Sequence, residues 1–520
     1  VVKDADVSVK IAAIRALGNS SRYAGYSPDA EGAPEAIRPR LTDTDARVQA
    51  AAVIAIGKIG PQPNVIFPGS ALSNFAPMFD LLKANDDKDP YLRHAAVMGL
   101  VHATRNPVDL WNAWSLAKDK YDITSVRMGV LLALRKHGSD KTAEFLTDAE
   151  PRIVAEAARA IYDERIMAAM PALAKLADKP ALSDATAFRA IAANRWVGNP
   201  EAIARFAGRA GEPDYIRAFA LDLLGNWANP GRRDPITGIT MELAAREAKA
   251  AAEALKAVGV KIFAGSDLVR QRAAQVVAKM GIKEFGPLLI ELVKDAKSPV
   301  SLRVEALFAV DAINDPGAKE LAGFALASEE PRLRAAGRGV KAKLEPVAVL
   351  KELPELLKDE KTSLAEKQGA FAILASMKSS EDADKLLDAW LDEAIAGKVS
   401  PEVILDVLDA AERRAATPKL KLFVGLKAKV DKYRGAQNKL AGDPKGDKLA
   451  AHLDSLSGGD AERGRNIFLN NSAVYCQRCH KLDGQGGEVG PQLNGLAAEM
   501  GKDRRYLLEA IVLPSANIAK

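Results

Sequence analysis

DADVSVKIAAIRALG, Asp4 to Gly18, returns 39 residues later as DTDARVQAAAVIAIG, Asp43 to Gly57. Each opens on acidic residues that can cap a helix. Apolar residues then recur at helical spacing, as with Val9, Ala12, Ala13, Ala16 and Leu17. Further echoes follow: DPYLRHAAVMGL from Asp89, SVRMGVLLALRKHG from Ser125, EPRIVAEAARAIYD from Glu150, PDYIRAFALDLLGNW from Pro213, LVRQRAAQVVAKMG from Leu268, SPVSLRVEALFAV from Ser298 and EPRLRAAGRGVKAKL from Glu330. One such helix cannot bury its apolar face alone, whereas a stack of helix pairs can, and small Ala residues let neighbours approach closely. An all-α fold follows, with a helical repeat array as its larger part.

The pattern resembles HEAT-type repeats, about ten of them over residues 1–435, degenerate in sequence and variable in length. GNWANPGRRDPITG, Gly225 to Gly238, breaks the rhythm and predicts an irregular insertion over about 225–240, before a helix expected around Glu242 to Ala257. That insertion is either a long connection between repeats or a surface on which another domain docks. The charge-rich run from Asp431 to Lys448 marks a boundary, with a linker or helix over 436–458 and a small module over 459–520.

Composition narrows the function classes. The 73 basic and 68 acidic residues are dispersed along the chain, giving +5 with no block of one sign, so neither nucleic acid nor a membrane surface is expected as partner. No run of about 18 apolar residues occurs, so no membrane span is expected. No signal-like segment follows Val1, and any targeting peptide is expected outside this sequence. His94 and His102 lack an accompanying ligand set and read as repeat histidines. Trp111 and Trp114, three apart on one helical face, read as the cap of a hydrophobic seam.

The two cysteines of the chain fall in CQRCH, Cys476 to His480. Three chemistries use such a motif. Structural zinc needs four ligands, and neither a second CxxC nor a nearby histidine completes the set; His452 is 28 residues before His480. A thioredoxin-like switch needs a βαβ setting that an all-helical neighbourhood does not supply. Covalent haem fits: thiols at i and i+3 on one helical turn face the same side, and the following His480 is aimed at iron as its proximal ligand.

The flanking residues resemble a class I cytochrome c. Gly464 and Phe468 have the spacing of the Gly and aromatic by which the family's first helix meets its last, and Gly490, Pro491 and Leu493 match its Gly-Pro-x-Leu element. The resemblance implies haem c, tethered through Cys476 and Cys479 with His480 on its iron, and haem packing by Gly490, Pro491 and Leu493. A helix is expected over Asp503 to Val512, ahead of the region where the family places its distal Met. Met500, the one methionine of the module, is the candidate sixth ligand within the sequence. The family's distal loop and closing helix would lie past Lys520, so the module is expected to be incomplete at its C-terminal end.

The order of parts is similar to a family of large secreted haem proteins of planctomycete and verrucomicrobial bacteria, in which a β-propeller precedes HEAT-like repeats and a short cytochrome c domain. The segments that carry this are DPYLRHAAVMGL, LGNWANPGRRDPITG, and the run from GRNIF at Gly464 to YLLEAIVLPSANIA at Tyr506. No propeller pattern is present, so no catalytic residue is assigned to this chain. The resemblance implies an electron-transfer module that receives electrons from a dehydrogenase domain or a redox partner protein, in a periplasmic or exported location. Two other functions use the same parts: a repeat scaffold that binds protein or polysaccharide with a subsidiary haem, and peroxidase-like chemistry at an iron with an open distal position.

Overall fold

The computed structural model describes residues 2–23, 32–59, 70–377, 380–416, 423–443, 446–470, 474, 476, 479–483, 485–487, 489–499, 501 and 503–516. Helices dominate, and the paired strands among these residues are two dipeptides near the C-terminus. The chain divides into two units, residues 1–206 and 207–520.

The first unit contains α1 (Val7–Tyr23), α2 (Ala33–Ile37), α3 (Ala46–Ile59), α4 (Ser70–Asn85), α5 (Pro90–Ala103), α6 (Pro107–Leu116), α7 (Lys118–Tyr121), α8 (Thr124–Lys136), α9 (Pro151–Asp163), α10 (Met170–Lys175), α11 (Asp184–Val197) and α12 (Pro200–Ala207). One row is continuous: α1 packs on α3, α3 on α5, α5 on α8, α8 on α9 and α9 on α11. A second row covers it, with α4 lying on α5 and α8, and α10 on α11. The predicted echoes at Asp4, Asp43, Asp89, Ser125 and Glu150 all fall in the continuous row. Trp111 and Trp114 pack against Phe145 with ring centroids 5.8 and 5.6 Å away, closing a seam as expected.

The second unit contains α13 (Asp214–Gly225), α14 (Ala248–Phe263), α15 (Asp267–Met280), α16 (Gly286–Lys294), α17 (Val300–Ala312), α18 (Ala318–Leu326), α19 (Pro331–Leu344), α20 (Pro346–Lys358), α21 (Leu364–Ser376), α22 (Glu381–Ile395), α23 (Pro401–Ala415) and α24 (Phe423–Gly442). The continuous row here is α13, α15, α17, α19, α21 and α23, backed by α14, α16, α18, α20 and α22. The helix expected around Glu242 begins six residues later, at Ala248. Residues 242–247 belong instead to the insertion, because the Arg246 amide donates to Ala228 O at 3.0 Å and its guanidinium stacks on the buried Trp227 ring. Asp234, also buried, holds the insertion's turn by accepting from the amides of Ile236 and Thr237.

Two kinds of contact set the spacing of these rows. The first is steric. A Cβ on Gly18 would stand 2.7 Å from the Ala55 Cβ, one on Gly57 would overlap the Gly99 carbonyl oxygen, and one on Gly99 would lie 2.9 Å from Val53 O. The helices therefore meet backbone to backbone, closer than ordinary side chains permit. The second is made by cations. The fourth residue of a row helix is repeatedly basic and reaches a neighbouring element: Lys10 pairs with Asp43 at 3.6 Å, Arg127 with Asp148 at 2.9 Å, and Arg270 donates to Ser298 at 3.3 Å. Arg217 and Arg303 donate instead to Ala207 O and Val293 O, carbonyls at the ends of α12 and α16, where the helix dipole favours a cation.

Arg334 and Glu366 tie α19 to α21 with two hydrogen bonds of 2.9 and 2.8 Å. The buried Glu366 carboxyl is held down to about 2, chiefly by the Arg334 hydrogen bonds, against a burial that opposes ionisation.

Two outcomes follow for stability. Gly57→Ala should cost about 1–3 kcal/mol through overpacking, while Gly323→Ala in α18, where a Cβ meets nothing within 4 Å, should gain about 0.5–1 kcal/mol; urea titration reads both. Because Glu366 has its folded-state pKa depressed, its contribution is complete above the ordinary value of 4.5 and is lost as pH falls toward about 2. Glu366→Gln should therefore destabilise the chain at about pH 6 and have a much smaller effect below about pH 2.5, measured by urea midpoints at each pH.

Candidate functional site

The C-terminal module begins on α25 (Ala461–Asn470), followed by the CQRCH turn, β1 (Lys481–Leu482), β2 (Gln485–Gly486), α26 (Leu496–Glu499) and α27 (Arg504–Val512). Within CQRCH, the amides of Cys479 and His480 both donate to Cys476 O, at 3.2 and 3.1 Å. That single helical turn puts Cys476 and Cys479 one turn apart, both as free cysteines. The motif then becomes a small hairpin: Lys481 pairs with Gly486 and Leu482 with Gln485, and Asp483 turns the chain at φ 49°.

The segment from 489 to 495 folds back over the turn. The Gly490 amide donates to Cys479 O at 2.7 Å and the Leu493 amide to Lys481 O at 2.9 Å. A Cβ on Gly490 would stand 2.9 Å from both Cε1 and Nδ1 of His480, so only glycine lets the backbone lie against that ring. His480 Nδ1 lies 3.0 Å from Pro491 O. A carbonyl oxygen can only accept, so Nδ1 is the donor of this bond, and in the neutral tautomer that carries this proton the lone pair is on Nε2. The structure thus brings Cys476, Cys479, His480, Gly490, Pro491 and Leu493 into one local assembly. Met500 lies outside the described residues.

Further bonds brace this assembly. The Asn494 side chain donates to Asp483 Oδ1 at 2.7 Å and accepts from the Asp483 amide at 2.9 Å. The other oxygen of Asp483 takes Arg465 of α25 at 2.9 Å. Sequence alone does not single out Asp483, Asn494 or Arg465; an Asp and an Asn eleven residues apart carry no local signature of pairing. A Cβ on Gly464 would meet nothing within 4 Å among the described residues, whereas Phe468 is half-buried.

The module is fastened to its unit. Asp503 caps α27 through the amides of Arg505 and Tyr506. Arg504 donates to Leu456 O and Arg505 pairs with Asp447, each at 2.9 Å. Residues 450–456 form a tight turn on α23 and α24, where the Tyr433 hydroxyl bonds Asp454 at 3.1 Å. Gly458 lies directly on the Glu402 carbonyl of α23. The charge of Arg465 also reaches Asp222 of α13, whose carboxyl is raised by burial and lowered in turn by Arg272 and then Arg465.

Composition and burial in the module are at odds. None of the described side chains from 451 to 516 is buried. Ile467, Val474, Val489 and Ile511 are exposed, at 42, 57, 89 and 79%. Among the described residues no cluster of three or more His, Cys, Asp or Glu side chains is assembled to hold a bare metal ion, and Cys476, Cys479 and His480 do not converge as one. No helix of the described residues is long and apolar enough to cross a membrane.

No protein-family model matches this chain, and no curated protein matches it. Among known structures, the homology model of the full-length AP-3 complex in an intermediate open conformation is similar at 12% identity, with 98% of this chain and 100% of that chain covered at a TM-score of 0.31.

The hydrogen bond at His480 makes a direct prediction. Long-range proton–nitrogen NMR of the neutral ring should place the proton on Nδ1, and Gly490→Val should abolish that preference by pushing the Pro491 segment off the ring. An Nε2–H tautomer in the unaltered chain would contradict the assignment.

Proposed function

We propose that residues 459–520 bind a c-type haem covalently and serve as an electron-transfer module, with the helical rows as their scaffold. The observation that carries this is the set of constraints on His480: Nδ1 committed to Pro491 O and Nε2 left available, in the turn that also presents Cys476 and Cys479. Each thiol would add its S–H across one porphyrin vinyl group, forming a thioether without any change of oxidation state. His480 would supply the proximal nitrogen to iron. Its bond to the Pro491 carbonyl orients the ring. When bound, the haem supplies a one-electron ferric/ferrous couple.

The rest of the module holds these groups in place. Gly490 admits the Pro491 segment against the imidazole, Leu493 closes the loop onto Lys481, and the Asp483–Asn494–Arg465 bonds hold this loop to α25. The half-buried Phe468 and the exposed Val489 and Ile511 supply apolar cover. An associated dehydrogenase domain or redox partner is the proposed donor, in keeping with the resemblance of the whole chain to the large secreted haem proteins. A periplasmic or exported location accompanies that proposal, since attachment of this kind takes place outside the bacterial cytoplasm.

The test is a reduced pyridine haemochrome spectrum of the chain produced in a cytochrome c-maturing host. The expected result is an α band at the c-type position, which reports two saturated vinyl groups. Cys476→Ser or Cys479→Ser should move the band toward that of a haem with one free vinyl, and the double variant should lose covalent haem. Pigment that extracts completely into acidified acetone from the unaltered chain would overturn the proposal.

A further inference from the structure

The first unit's continuous row carries a groove of about 530 Å³ between α1, α3 and α5. Its floor is made of small residues, Ala50 and Ala55 of α3 with Gly18 of α1, so backbone-sized groups can approach closely. Lys10–Asp43 at one end and Asn19–Lys58 at the other show that α1 and α3 run in the same direction. The groove therefore has two distinct ends.

At the end nearest the N-termini, Ile11 and Leu92 join Tyr91, which is 83% exposed. At the other end stands the cation Lys58, with Arg15 one turn before it on the α1 wall. The remaining charges of the lining are already engaged. Arg47 is neutralised by Asp45 at 2.7 Å, and the Asp89 carboxylate caps α5 through the amides of Tyr91 and Leu92. Arg15 has no carboxylate partner among the described residues, and Lys58 bonds an amide oxygen, Asn19 Oδ1, at 2.8 Å. Among the described residues, the groove's uncompensated charge is positive.

The two cations stand on successive turns of the groove wall. Asn19, which Lys58 touches, is one turn beyond Arg15 on α1. Four residues of helix rise about 6 Å. Side chains i and i+2 on one face of an extended chain repeat at about 6.5–7 Å. We infer that the groove docks an extended peptide segment of a partner protein, with two carboxylates two residues apart on Arg15 and Lys58 and an apolar side chain toward Tyr91 and Ile11. Ile54, one turn before Lys58, lies between the two ends. This site shares no residue with the C-terminal module and is independent of haem.

The experiment titrates the full chain into a fluorescein-labelled peptide with a Leu-Ala-Glu-Ala-Glu core and follows anisotropy. The expected result is saturable, salt-sensitive binding that weakens roughly tenfold or more when both Glu are replaced by Gln, or when Arg15→Glu and Lys58→Glu are combined. A Lys-for-Glu peptide should recover affinity for that double variant, whose helicity is checked by circular dichroism. Equal binding of the Glu and Gln peptides overturns the proposal with no variant required. So do equal binding of a peptide with adjacent Glu residues, and displacement by dextran sulfate that does not depend on Arg15 and Lys58.

Discussion

Contact between neighbouring helices of the continuous rows is the constraint from which the rest follows. Where Gly57 meets Gly99 and Gly18 meets Ala55, even a methyl group is too large for the gap. Helices that close leave no room for independent tilting, and the fourth-position cations then fix their register by reaching the next element. Sterics set the distance, and the hydrogen bonds and ion pairs of these cations set the alignment. The second row tolerates more variety, from the short α10 to the sixteen-residue α14, because it packs on a surface already defined.

Much of this was legible in the sequence, for a physical reason. The row helices need small residues on their contact faces, and that demand shows as Ala-rich echoes at recurring intervals. Second-row helices need only one apolar stripe and left no comparable pattern. The recurring basic residue at Lys10, Arg93, Arg127, Arg217, Arg270, Arg303 and Arg334 is present in the quoted echoes without a role that sequence alone can give it; its partners lie on other elements and emerge only when the chain is folded. Helix α14 starts later than periodicity indicates because a backbone bond from Arg246 and a stacked Trp227 hold its leading residues in the insertion.

The candidate site divides along the same line. Cys476, Cys479 and His480 fall within five residues, so spacing alone placed them on one turn. Gly490 and Pro491 needed the resemblance to be singled out, and the fold shows what each contributes. Gly490 clears space for the imidazole, and Pro491 offers its carbonyl to Nδ1. Arg465, Asp483 and Asn494 escape sequence reading because a hydrogen-bonded trio drawn from three separate segments has no sequence period.

Arg504 and Arg505, engaged by Leu456 O and Asp447, bear on how the proposed electron-transfer module would exchange electrons. A redox centre on a slack tether can swing between donor and acceptor, and its turnover is then set by diffusion of the arm. A module held through α27 to residues 447–456, and through Gly458 to α23, is tied at both ends of that arm. For an electron-transfer module mounted in this way, tunnelling distance is fixed at assembly. Its proposed partners would then have to bring their own centres to it.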